Sequence, residues 1–77
     1  MPEERPQVAL VQLGWLVGAY DVDHLRDAER AAASLAKAGG HDVDLYEVEP
    51  TAAPLPPLGS DVNPDQLGWT HLVHETH

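Results

Sequence analysis

The sequence predicts a small α+β protein, a two-layer ββαβ sandwich in which an antiparallel sheet carries one helix on a face, followed by an extended Pro-rich C-terminal tail. Three observations predict it. Asp27 to Gly40 (DAERAAASLAKAGG) is rich in strong helix formers and has its own start and stop signals. Short apolar or alternating runs flank it: VALVQL and YDVDHL before, DVDLYEVE after. From Pro50 to Pro64 there are five prolines and no period, so the chain divides into a domain over residues 1–50 and a tail over 51–77.

Met1 to Pro6 is polar, holds two prolines and reads as a loose lead-in. Val8 to Leu13, apolar and bounded by Pro6 and Gly14, reads as a buried strand. Gly14 to Ala19 reads as a hairpin connection, and Trp15, Leu16 and Val17, unusually apolar for a loop, either lie in it or extend the strands. Tyr20 to Leu25 alternates, with Tyr20, Val22 and His24 on one side, as a half-buried strand does. In the helix Asp27 is the expected N-cap, Glu29 lies in the first turn and Lys37 in the last, all favourable to the helix dipole. Its apolar side is Ala28, Ala31, Ala32, Leu35 and Ala38, with Leu35 the one large contributor. Gly39-Gly40 supplies the left-handed stop. Asp42 to Glu49 is the third strand, with Val43 and Leu45 on one face and Tyr46 and Val48 on the other. Asp65 to His77 reads as a short strand over Trp69 to Val73, with a turn of helix as the alternative. The tail carries Leu55, Leu58, Val62, Leu67, Trp69, Leu72 and Val73, too many apolar residues for a disordered segment. It is expected to pack on its own sheet or on a partner.

The stretch Val8 to Pro50 combines a glycine-centred connection, a Tyr-x-Val strand, a Glu- and Ala-rich helix closed by Gly39-Gly40, and Tyr46-Glu47-Val48-Glu49-Pro50. It resembles small uncharacterised proteins of actinobacteria and their bacteriophages. The resemblance implies the ββαβ fold and a phage or actinobacterial setting, and it brings no catalytic residues. Trp15, Leu16 and the Pro-rich tail depart from that pattern, which makes them the places to look for a function particular to this chain.

Composition bounds the function. A chain of 77 residues holds one small core, and without cysteine it has neither a disulfide nor a thiolate metal site. No apolar run approaches the ~20 residues of a membrane span. A cytoplasmic protein, or a component of a virion, is the expectation. Thirteen acids against four bases give a net charge of -9, which opposes direct binding to nucleic-acid phosphates. Ser34 lies in the helix and Ser60 in the Pro-rich loop, no nucleophile elbow is present, and Gly39-Gly40 ends a helix rather than opening one. No enzyme is expected.

The leading expectation is a non-catalytic protein–protein interaction or accessory protein, binding a partner or itself through Trp15, Leu16, Leu55, Leu58, Trp69 and Leu72, because exposed tryptophan and leucine anchor interfaces. The short recurrence Gln12-Leu13-Gly14-Trp15 and Gln66-Leu67-Gly68-Trp69 fits either two similar strand ends or two tryptophans in equivalent places. The alternative is a transition-metal protein using His71, His74, Glu75 and His77, a donor set suited to Zn or Ni. No other cofactor is expected. In a regular strand His71 and His77 share a face but lie ~20 Å apart, and His74 points the opposite way. If the strand holding Asp21 and Asp23 pairs with that holding Asp42 and Asp44, four carboxylates gather as a hard cation such as Ca or Mg requires. A second alternative, an acidic mimic of DNA, uses the charge and no particular residue.

Overall fold

The apolar run after Pro6 forms β1 (Gln7–Gln12), whose Val8, Ala9, Leu10 and Val11 are all buried. A strand covered on both faces has no reason to alternate, which explains the unbroken run. The structure, a computed structural model, describes residues 5–50 and 54–77. The lead-in reading of Met1 to Pro6 and the Pro-rich reading of Pro50 to Pro64 therefore fall partly outside it.

β1 turns directly into β2 (Trp15–Asp21). The connection expected over Gly14 to Ala19 is only Leu13-Gly14, both at positive φ (56° and 78°), the backbone of a type I′ hairpin turn. Trp15, Leu16 and Val17 are apolar because they are strand. Leu13 adopts a left-handed conformation that disfavours a side chain by about 1–2 kcal/mol. Pairing slips by one residue partway along: Leu10 faces Gly18 while Val11 faces Leu16, leaving Val17 without an opposite number.

The alternating YDVDHL is only partly strand. The Asp21 side chain accepts a hydrogen bond from the Asp23 backbone N–H at 3.0 Å and caps a 3₁₀ turn over Val22–His24. This local bond competes with the sheet ladder and wins. The turn runs into α1 (Leu25–Gly39), so Asp27 sits in the first turn rather than at the N-cap. Ala28, Ala32 and Ala36, spaced by four, are the residues fully buried on α1, over Val8, Leu10, Val43 and Leu45. Leu35 packs only at the rim, and Ala38 is exposed where Ala36 takes the expected place. Methyl-sized contacts let the helix axis lie close to the sheet. Gly40, at φ 71°, closes the helix, and Gln12 Nε2 donates to the carbonyls of Leu35 (3.2 Å) and His41 (3.0 Å), pinning that end to β1.

β3 (Val43–Val48) pairs antiparallel with β1 and splits its faces as expected, Val43 and Leu45 toward the helix. The chain then returns along the outer edge of β2. There the Leu16 N–H donates to Ser60 O (2.9 Å), the Gly59 N–H to Leu16 O (2.7 Å) and the Val62 N–H to Gly14 O (2.8 Å). A single turn, α2 (Pro64–Leu67), leads into β4 (Thr70–Glu75), which pairs with β3 at the far edge. The result is a four-stranded antiparallel sheet in the order β2-β1-β3-β4 with one helix on a face. The tail thus supplies both a fourth strand and a cover for the second face, where Leu55, Val62 and Trp69 pack on Ala9, Leu16 and Val48. Among the described residues no helix is long and apolar enough to cross a membrane.

Candidate metal centre

The site is built by strand register. On β3, Asp44 and Tyr46 share the face opposite the helix because strand side chains alternate. Asp44 lies opposite His74 and Tyr46 opposite His71, so both histidines share that face too. They stand three positions apart, an odd spacing that a regular strand would place on opposite faces. The ladder resolves this by slipping one residue: Leu45 faces Val73, leaving Leu72 extra. Leu72 and Val73 both pack toward the helix, and the histidines on either side of them both turn away from it. The expectation that His74 points opposite to His71 is corrected by this bulge.

Asp44 Oδ1 is the focus. It lies 3.0 Å from His71 Nε2 and 2.5 Å from His74 Nδ1. The three donor atoms lie within 4.8 Å of one another. A tetrahedral zinc ion with bonds of 2.0–2.1 Å holds its ligands about 3.3 Å apart, so closure around an ion needs shifts of no more than about 1.5 Å. Beyond this group, His74 Nε2 lies 2.8 Å from Asp42 Oδ2, while Asp42 Oδ1 lies 2.9 Å from His77 Nδ1 and accepts the His77 backbone N–H at 3.1 Å. At the other end of the row Tyr46 meets the His71 ring edge-on at 5.3 Å between centroids and tilts against Trp69 at 6.3 Å.

The charges follow the contacts. The His77 ring and backbone N–H and the His74 ring hold the Asp42 carboxyl down from 3.8 to about 2. Burial pushes the Asp44 carboxyl up, but hydrogen bonds from His74 and His71 outweigh it and leave it below its ordinary value. The Asp44 and Asp42 carboxylates raise His74. Burial, then the charges of Asp44 and Asp65, raise Tyr46. His74 thus bridges two carboxylates, both of which favour its protonated form.

Of the metal ligands expected from sequence, His71 and His74 converge, His77 reaches Asp42 instead, and Glu75 lies opposite Val43 on the helix side, away from the group. Asp44 and Asp42 were missing from that set. The four-carboxylate arrangement fails because β1 separates β2 from β3, and Asp23 is paired with Arg5.

The expected contact residues scatter. Leu16 is fully buried and belongs to the core, and Leu55 and Trp69 pack beside it. Leu72 packs on the helix-side cluster. Trp15 (45% exposed) and Leu58 (66%) remain outward. The recurring Leu-Gly steps are turn ends, with Gly14 and Gly68 both left-handed, but the tryptophans after them differ: Trp15 is exposed, Trp69 half-buried. Next to Trp69 a cavity of about 520 Å³ is lined by Pro54, Pro56, Val62 and Leu67, with Asp61, Asn63 and Gln66, and it does not include Asp44, His71 or His74. Compared with protein-family models, with curated proteins and with solved structures, the chain matches none.

Proposed function

We propose that the protein binds a divalent first-row transition ion, zinc or one of similar character, through Asp44, His71 and His74. The observation behind this reading is the convergence of one carboxylate oxygen and two imidazole nitrogens, from neighbouring strands, within 4.8 Å. Imidazole and carboxylate without thiolate suit Zn, Ni or Co. The role is binding rather than catalysis: the side chains of His71 and His74 are about half exposed (49% and 47%), with no wall around them to exclude water from a reacting group. Calorimetry of the full chain with Zn(II) should show one ion per chain at a Kd on the order of a micromolar. His71→Ala and His74→Ala should each weaken it by about 100-fold or more, beyond the effect of losing an outer residue. His41→Ala should leave it unchanged. Absence of heat from the wild type at micromolar zinc sinks the reading.

A protein–protein contact is the second reading, that of an accessory protein in a phage or actinobacterial setting. It is favoured by Trp15 and Leu58, large apolar side chains left in solvent, and by the apolar cavity at Leu67 and Trp69. Light scattering of the wild type should then give a mass above the 8.3 kDa monomer that Trp15→Ala with Leu58→Ala lowers. A strictly monomeric wild type leaves only a foreign partner for that surface.

A further inference from the structure

We infer, resting on the metal reading above, that Asp42 and His77 are the positioning pair that fixes which nitrogen of His74 meets the ion. The His74 ring spans two carboxylates, with Nδ1 at 2.5 Å from Asp44 Oδ1 and Nε2 at 2.8 Å from Asp42 Oδ2. An ion held with Asp44 and His71 lies on the Nδ1 side. It takes the Nδ1 lone pair and the proton there leaves to solvent, so the remaining ring proton is on Nε2 and is donated to Asp42. A metal-bound histidine generally needs such an acceptor to hold its tautomer and ring plane.

Asp42 is itself held. Its other oxygen, Oδ1, faces two donors from one residue, the backbone N–H of His77 at 3.1 Å and its ring Nδ1 at 2.9 Å. The carboxylate therefore cannot rotate freely away from His74. His71 is steadied differently, by a T-shaped contact between its ring and Tyr46. His77 thus acts on the ion through Asp42 and His74 without touching it, a use that its distance from the three-ligand group otherwise denies it. Asp42 lies one residue before β3 and takes no part in the ladder, so its substitution leaves the sheet intact.

The test is Zn(II) titration of the full chain, with long-range proton–nitrogen NMR of His74 as the second readout. Asp42→Ala should weaken zinc by about 10–100-fold. Asp42→Asn, which keeps an acceptor oxygen and loses the charge, should fall between that variant and the wild type, and His77→Ala should have the smallest effect because any residue there retains its backbone N–H. In the zinc-bound wild type the His74 proton should be on Nε2. A proton on Nδ1 would put the ion on the Asp42 side and overturn the assignment. Unchanged affinity in Asp42→Ala overturns it equally while leaving the metal reading intact; no binding by the wild type removes both.

Discussion

Leu16→Ala should lower the melting temperature by at least about 10 °C, as expected from a loss of about 2–5 kcal/mol for emptying a buried leucine site in a domain this small. Leu16 is fully buried on the face opposite the helix, against Ala9 and Val48 and beneath Leu55, Val62 and Trp69. Its backbone also donates to Ser60 and accepts from Gly59, so the tail above it cannot settle freely into the space a methyl group would leave. A 77-residue domain has a total stability of about 4–12 kcal/mol, of which this one side chain is a large fraction. Leu58→Ala is the contrast: two-thirds exposed, it should change stability by no more than about 0.5 kcal/mol. Thermal melts followed by far-UV circular dichroism compare the two. Equal melting temperatures for both variants would mean that the second face of the sheet is not covered by the tail.

Much of this architecture is legible in the residues, and the failures share one physical cause. The helix, its Gly40 stop and the division of β3 into two faces follow from propensity and period. The tail's apolar residues announce that it must pack, since one alanine-faced helix covers only one side of the sheet. The errors lie where a local device changes the period. Leu13-Gly14 makes a two-residue turn with a residue that seldom accepts positive φ, so the hairpin connection is read too long and β2 too late. Asp21 caps a 3₁₀ turn inside an alternating run. In β4 the bulge at Leu72 brings His71 and His74 to one face. Its trace in the sequence is the pair Leu72-Val73 between polar residues: where both pack toward the helix the strand must bulge, and what flanks them then turns the other way. Asp42 and Asp44 were visible as a carboxylate pair, and the histidines as a cluster. Only the β3–β4 register joins them.

Zinc should stabilise this protein at alkaline pH and fail to do so at mildly acidic pH, opposite to the contribution that His74 alone makes to the metal-free fold. The His74 pKa is raised above its ordinary 6.5 by Asp44 and Asp42. A raised value means that the folded chain holds its proton more tightly than the unfolded chain. The stability this contributes is fully present below pH 6.5 and is lost as pH rises through the raised value. Zinc needs the same Nδ1 unprotonated, so the proton competes with the ion, and the apparent affinity falls with pH. At pH 8, zinc at 100 times its Kd should add about 2.7 kcal/mol, or roughly 10–20 °C in melting temperature. Near pH 5.5 the same zinc concentration should add almost nothing, and in His74→Ala the shift should be absent at both values. The effect concentrates on β4, the strand with the fewest buried residues, because an ion shared by Asp44, His71 and His74 ties it to β3. Melts with zinc and with a chelator at the two pH values measure it. An equal shift at both would place the ion on carboxylates alone and take the histidines out of the site.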